Sequence, residues 1–283
     1  MLEVKKNGLL RLLLCGDVSG EPGRAAIRRY VPALRRRAGI DFVILNVDNS
    51  ADGLGITPEI AVEFFDCEAD LLTGGNHLFH REEIEPFIVT EKRLLRPLNL
   101  DKSIGNGIYE IITKDGVKIL VVHLLGQKHM PPSLTSGDPF DCMHRLLDKY
   151  VLGKTVDVIV VDFHAEQTTE KNAFANFLDG RVSVVVGTHT HIPTADGRIL
   201  PGGTAYQTDI GMCGDYDSVI GMEKNSCIAL FTKSASCSDI KSACGEATLS
   251  GVIVDVDTRT GLALSLEQIL MGGILRPRGE FAE

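Results

Sequence analysis

No apolar stretch in the 283-residue sequence is long enough to span a bilayer, so no membrane-crossing helix is expected. Lys5 and Lys6 precede the apolar run Leu9 to Cys15 in the manner of a secretion signal. That run is short, is interrupted by Arg11 and leads into Asp17 with no small-residue cleavage site, which favours a core strand instead. The seven cysteines (15, 67, 142, 213, 227, 237 and 244) include no Cys-x-x-Cys pair, are odd in number and are scattered. This usage speaks against a disulfide framework and against zinc held by thiolates, and it points to a reducing cytoplasm. A net charge of −9 argues against a stable nucleic-acid complex, because phosphate contacts need clustered Lys and Arg. The one basic cluster, Arg24, Arg28, Arg29, Arg35, Arg36 and Arg37, is interleaved with Ile27, Tyr30, Val31 and Leu34 at helical spacing, and reads as the solvated outer face of a helix. Internal repeats and a convincing linker are also missing, so residues 1–283 are expected to form a single domain. A hydrophobic fraction of 44% is enough to give such a domain a sizeable core.

What is there alternates between strand and helix. Leu9 to Cys15, Asp41 to Asn46 and Asp70 to Thr73 read as buried strands. They are separated by helices over Pro22 to Arg37 and over Thr57 to Cys67, with Thr57 as cap, Pro58 at the first helical position, and Pro32 kinking or ending the earlier helix. Such alternation implies right-handed βαβ units and a mostly parallel sheet. Gly107 to Thr113 and Val117 to Leu124 flank Lys114-Asp115-Gly116 as a hairpin would. A long loop over Gly126 to Pro139 leads to a helix over Phe140 to Tyr150, and Val156 to Asp162 and Val182 to Val186 are further buried strands around a helix over Glu170 to Leu178. Ser234 to Gly245 reads as a loose connection ahead of a strand pair, Gly251 to Asp257 and Leu262 to Leu270.

Five of the strand ends carry polar side chains suited to metal chemistry. Asp17 follows the first strand, Asn46-Val47-Asp48-Asn49 the second and Gly74-Gly75-Asn76-His77 the third. Asp162-Phe163-His164-Ala165-Glu166 and Gly187-Thr188-His189-Thr190-His191 end two later ones. One such cluster is ordinarily a cap or a tight turn. Five at carboxyl ends of strands can converge, because sites in open α/β sheets lie beyond those ends. Two imidazoles at i and i+2 of an extended segment point the same way. Mixed Asp, Asn and His donors without Cys suit Mn²⁺, Fe or Zn²⁺, and there are enough of them for two ions sharing a bridging carboxylate.

These residues resemble the calcineurin-like metallophosphoesterases, and more narrowly a bacterial subfamily of 2′,3′-cyclic-nucleotide phosphodiesterases. The resemblance extends from about residue 9 to 270 and includes Gly16 to Arg24, Ala195 to Pro201, Gly202 to Tyr206 and Thr208 to Met212. It implies an α/β fold in which two mixed β-sheets are flanked by helices as a four-layer αββα sandwich. It further implies two metal ions, Fe or Mn with Zn as an alternative. One would be held by Asp17, Asp48, Asn49 and His191, the other by Asp48, Asn76, His164 and His189. His77 would be the general acid while a metal-bridging hydroxide attacks a small phosphodiester such as a 2′,3′-cyclic nucleotide, 3′,5′-cyclic nucleotides being possible substrates too. A homo-oligomer is implied as well. Two departures stand out: Asp48 replaces the usual Glu, and Leu78-Phe79-His80 follows Gly-Asn-His where Trp-Asp is usual, with His80 read as a pocket-rim residue. They leave open a phosphomonoesterase or phosphoprotein phosphatase, and a weakly catalytic metal- and nucleotide-binding regulator. No substrate-binding residue is assigned. His123 reads as structural, and His129 and His144 carry no pattern.

Overall fold

The computed structural model describes residues 8–101, 104–131, 136–234, 236 and 240–281. Parts of the loops expected over Gly126 to Pro139 and Ser234 to Gly245, together with Lys5, Lys6 and Cys237, lie outside the described residues. In chain order the elements are β1 (Leu9–Cys15), β2 (Asp17–Val18), α1 (Gly20–Ala38), β3 (Phe42–Asn46), α2 (Pro58–Asp66), β4 (Leu71–Thr73), α3 (Ile84–Thr90), β5 (Leu94–Leu95), β6 (Ile108–Ile112) and β7 (Lys118–Leu125). There follow α4 (Pro139–Leu147), β8 (Val158–His164), α5 (Thr168–Leu178), β9 (Val184–Thr188), β10 (Arg198–Ile199), β11 (Ala205–Gln207), β12 (Met212–Asp215), α6 (Lys224–Phe231), β13 (Ala247–Asp257) and β14 (Ala263–Met271).

The strands form two mixed sheets. The first runs β2-β12-β13-β1-β3-β4-β5, with β14 on β13; the second runs β10-β11-β9-β8-β7-β6. Neighbours β1-β3-β4-β5 and β7-β8-β9-β11 are parallel, and β13 lies antiparallel between β1 and β14. Because strand side chains alternate faces, an all-apolar strand serves two cores at once. Leu12 and Leu14 of β1 and Ile44 of β3 meet Val121, Val158, Val160 and Val184 of the second sheet. Leu13, Val43 and Leu45 face the other way, onto Ile27, Val31 and Leu34 of α1, Phe64 of α2 and Ile84 of α3. The outer face of the second sheet, Val122, Ile159 and Val161, packs on Met143 of α4 and on Phe174 and Leu178 of α5. The layers are therefore helix, sheet, sheet, helix, as the resemblance implies.

Two local features refine the sequence expectations. Thr57 caps α2 by accepting from the Ile60 N–H at 3.4 Å, with Pro58 first in the helix. Helix α1, by contrast, runs through Pro32 to Ala38 and stops only at Gly39, whose φ of 65° provides the left-handed cap. The buried stripe Ile27, Val31 and Leu34 holds the last turns in place despite the missing N–H, each such side chain contributing roughly 1.5–3 kcal/mol. The basic cluster on this helix is neutralised from nearby: Arg24 and Arg28 pair with Glu21 and Glu63, and Arg35 with Asp70 at 2.8 Å. Arg28, Arg29, Arg36 and Arg37 are exposed, so the cluster lies on the solvated outer face of the helix, as expected. Among the described residues, no helix is long and apolar enough to cross a membrane.

Candidate active site

The parallel strands of each sheet end on the same side, and the turns beyond those ends meet. Asp17 lies in β2, immediately after β1. Asp48 and Asn49 follow β3, while Asn76 and His77 follow β4. From the second sheet, His164 closes β8, and His189 and His191 follow β9. Asp17, Asp48 and His164 are fully buried, and Asn49 and His191 nearly so.

His164 is the hub. Its Nε2 lies 3.0 Å from Asn76 Oδ1, 3.1 Å from His189 Nδ1 and 3.4 Å from Asp48 Oδ2. Its Nδ1 lies 2.9 Å from Thr188 Oγ1, and that hydroxyl donates its own hydrogen to Asp162 Oδ1 at 2.8 Å. The Nδ1–H must therefore donate to Thr188, and in a neutral ring this turns the Nε2 lone pair towards three further acceptors. A second pair repeats the pattern. His191 Nδ1 donates to the Ile220 carbonyl at 2.8 Å, and Asn49 Nδ2 donates to the Gly53 carbonyl at 2.8 Å. The remaining acceptors, His191 Nε2 and Asn49 Oδ1, face each other at 3.2 Å. Asp17 Oδ2 accepts from the His189 N–H at 3.0 Å, while its buried Oδ1 has no hydrogen-bond partner and sits 3.6 Å from His164 Nδ1.

Convergent lone pairs repel unless a cation lies among them, and only a proton or a metal ion can fill that role. Burial drives the His164 pKa down, but Asp48, Asp17 and Asp162 together bring it above its ordinary value. His189, desolvated and beside His164, is pushed down to about 2 and stays neutral. Asp48 is raised by burial, yet its contacts with His164 and His77 hold it below the usual carboxylate value. The spacings of 3.0–3.4 Å about His164 Nε2 also match what an ion needs, since ligands about 2.1 Å from a centre lie about 3.0–3.4 Å from one another. The donors nevertheless pack on one another, not around a gap: among the described residues, no three His, Cys, Asp or Glu side chains form a ready shell. The residues present, mixed Asp, Asn and His donors, are of the kind that would hold metal ions.

Backbone geometry makes the close approach possible. A Cβ at Gly75 would fall 2.3 Å from His164 Nε2. Gly75→Ala is therefore expected to displace the ring, costing about 1–3 kcal/mol in stability and most of the activity. Thermal melting together with kcat/KM checks this, and a variant matching the wild type in both would contradict it. His77 stands at the turn after β4, where its N–H donates to Asp48 at 2.9 and 3.1 Å. Its ring lines a cavity of about 260 Å³ above the acceptors, together with Asn49, His189 and His191. Burial there lowers the His77 pKa. His80 lies near His77, with ring centroids 6.4 Å apart, and is largely exposed, consistent with a rim position.

The sequence reading named Asn46 and Asp162 within the strand-end clusters and read His123 as structural, but assigned no support beneath the ligands. Asp162 accepts from Thr73 Oγ1 at 2.6 Å, Asn46 Nδ2 at 3.0 Å and Thr188 Oγ1 at 2.8 Å, and so ties three strand ends together. His123, buried in β7, donates from Nε2 to the Gly74 carbonyl at 2.9 Å and turns Nδ1 towards Asp162. Lys171 Nζ donates to Asp209 Oδ2 at 2.7 Å and to the Thr188 carbonyl at 2.8 Å, and the same Asp209 oxygen accepts from the Thr190 N–H and hydroxyl. This pair brackets His189, whose φ of 98° is uncommon for a residue with a side chain, as is the 66° of His191. A signal for Lys171 was present: with Phe174, Ala175 and Leu178 it occupies the buried stripe of α5, where a lysine needs a partner.

Residues 13–269 match the model of the YmdB-like protein family. The chain belongs to that family. It is 41% identical over 263 residues to a 2′,3′-cyclic-nucleotide 2′-phosphodiesterase of Bacillus subtilis, covering 93% of this chain and 97% of the relative. A solved phosphatase structure from Mycoplasma pneumoniae superposes with a TM-score of 0.87 at 35% identity, covering 93% and 94% of the two chains. A hypothetical protein from Thermus thermophilus does so with a TM-score of 0.83 at 34% identity, covering 93% and 100%. The relatives with a named activity in this group are phosphoester hydrolases, and the protein is a hydrolase of that kind, as its strand-end residues led one to expect.

Proposed function

We propose that the protein is a dinuclear metal-dependent phosphodiesterase acting on small phosphodiesters, foremost 2′,3′-cyclic nucleotides. The observation that carries this reading is the double set of inward-turned acceptors, His164 Nε2 with Asn76, Asp48 and His189, and His191 Nε2 with Asn49, beneath one cavity. Asp17 and Asp48 would supply the carboxylates, Asp48 to both ions. Such ions provide charge neutralisation at the phosphoryl oxygens and a nucleophile at neutral pH. His77, whose ring faces the cavity and whose backbone anchors Asp48, is placed to protonate the leaving ribose oxygen. The 41% identity to a named 2′,3′-cyclic-nucleotide phosphodiesterase supports this choice of substrate. Fe or Mn is the proposed metal, with Zn as the alternative, since the mixed Asp, Asn and His donor set suits all three. A homo-oligomer in the cytoplasm completes the proposal. The six described cysteines, all unpaired, support the reducing compartment.

The test is a panel of 2′,3′- and 3′,5′-cyclic nucleotides with bis-p-nitrophenyl phosphate and p-nitrophenyl phosphate, each assayed with added Mn²⁺ and after chelation. Cleavage of the 2′,3′-cyclic nucleotides and of the activated diester, falling at least about a hundred-fold on chelation and returning with Mn²⁺, is the expected result. A preference for the monoester would make the protein a phosphomonoesterase. Tight nucleotide binding without product would make it a regulatory binder. Metal content near zero after anaerobic purification, with no diester cleaved, would overturn the reading.

A further inference from the structure

The mouth of the cavity is unusual in its charge. None of the described residues lining it is Lys or Arg, and Glu166 is the one carboxylic acid among them. Glu166 lies two residues beyond His164, so the end of β8 delivers both a buried imidazole and a half-exposed carboxylate, 48% accessible, to the same site. A surface glutamate with no role is free to turn into solvent. The Glu166 Oε2 instead lies 3.1 Å from His189 Nε2, while the opposite ring nitrogen, Nδ1, faces His164 at 3.1 Å. A neutral imidazole has one N–H. Given to Glu166 from Nε2, it leaves the Nδ1 lone pair directed inward, so the carboxylate fixes both the tautomer and the plane of His189.

We propose that Glu166 is a specificity-determining residue of this site: it sets His189 with its lone pair inward, and its charge selects singly charged phosphodiesters over doubly charged phosphomonoesters. The inference rests on the phosphoesterase reading of the same cavity. A phosphodiester carries one negative charge near neutral pH. A monoester, whose second ionisation lies near pH 6, carries nearly two. The extra charge meets Glu166 at the mouth, and no lysine or arginine among the described lining residues offsets it. Across a partly solvated cavity this repulsion amounts to a discrimination of about five- to ten-fold. The buried Lys171 does not cancel it, because its charge is matched by Asp209 at 2.7 Å.

Glu166→Gln keeps the size and an oxygen acceptor but removes the charge, and Glu166→Ala removes both. With the Mn²⁺-loaded protein, the ratio of kcat/KM for bis-p-nitrophenyl phosphate to that for p-nitrophenyl phosphate is expected to fall about five- to ten-fold in Glu166→Gln. Calorimetry with inorganic phosphate should show tighter binding by a similar factor, independently of turnover. Nitrogen NMR of His189 in the metal-free protein should show the Nε2–H tautomer in the wild type and Glu166→Gln, and a mixture in Glu166→Ala. A ratio and a phosphate affinity both unchanged within two-fold in Glu166→Gln would overturn the proposal. If the wild type cleaves neither ester, the phosphoesterase reading itself fails, and phosphate calorimetry still decides whether Glu166 repels a doubly charged anion.

Discussion

Asp48→Asn is expected to lower kcat/KM by about a thousand-fold and to reduce bound metal, while leaving the protein folded. The amide has the shape of the acid, so the fully buried pocket is preserved. It lacks the charge on which the surrounding groups converge. Asp48 accepts from the His77 N–H through both oxygens and lies 3.4 Å from His164, and the proposed site asks it to serve two ions. The amide would also turn an NH₂ towards either the His77 N–H or His164. Steady-state kinetics, elemental analysis and circular dichroism of the same preparation check the prediction. A variant keeping more than a tenth of wild-type activity would remove Asp48 from the centre of the site.

Lys171→Met is expected to destabilise the protein by about 3–5 kcal/mol, because it leaves Asp209 charged, buried and without its partner. Both side chains are 1% accessible, so water cannot substitute. The melting temperature should fall by about 10 °C. Activity should fall further than the unfolded fraction accounts for, even well below the melting point. The reason lies in the backbone: His189 and His191 sit at positive φ, and Lys171 and Asp209 hold the carbonyl before His189 and the N–H after it. A melting temperature within 2 °C of wild type would contradict this account. Activity proportional to the folded fraction would confine the pair to a purely structural role.

The parts of the fold legible in the sequence were those whose burial is local. Leu12 to Leu14, Val43 to Leu45 and Val158 to Val161 are continuous apolar runs, and β-strands buried on both faces look like that whatever their partners. The short strands β2, β5, β10, β11 and β12 carry no such pattern. β12, over Met212–Asp215, is a strand because β2 and the start of β13 flank it, a fact that lies in residues far away in the chain. Helices α3 and α6 were missed for a related reason: α3 turns only Ile84, Phe87 and Ile88 to the core, a single helical turn, and α6 buries only Cys227, too few to write a period. Pro32 misled because a local rule against proline in helices was outweighed by a tertiary stripe.

The candidate site divides in the same way. Asp17, Asp48, Asn76, His77, His164, His189 and His191 stand beside strand ends, and their side chains announce their chemistry. The residues that aim them do not. Asn46, Thr73, His123 and Thr188 resemble ordinary turn and strand residues until Asp162 is seen to gather them. Glu166 could be read as part of a motif, but its pairing with His189 is fixed only by how β8 and β9 lie side by side.

The pairing of β1 with β13 has a consequence for how the chain acquires its shape. Leu9 to Cys15 hydrogen-bonds to Gly251 to Asp257, so the strand that precedes Asp17 has one neighbour, β3, close by in the chain and the other far along it. Contacts separated by some 240 residues are slow to form, because a long loop must close before they contribute. Until β13 docks, β1 lacks its second neighbour and the first sheet is open on that side. A chain lacking residues 251–257 would be able to build βαβ units but not to close the sheet around them.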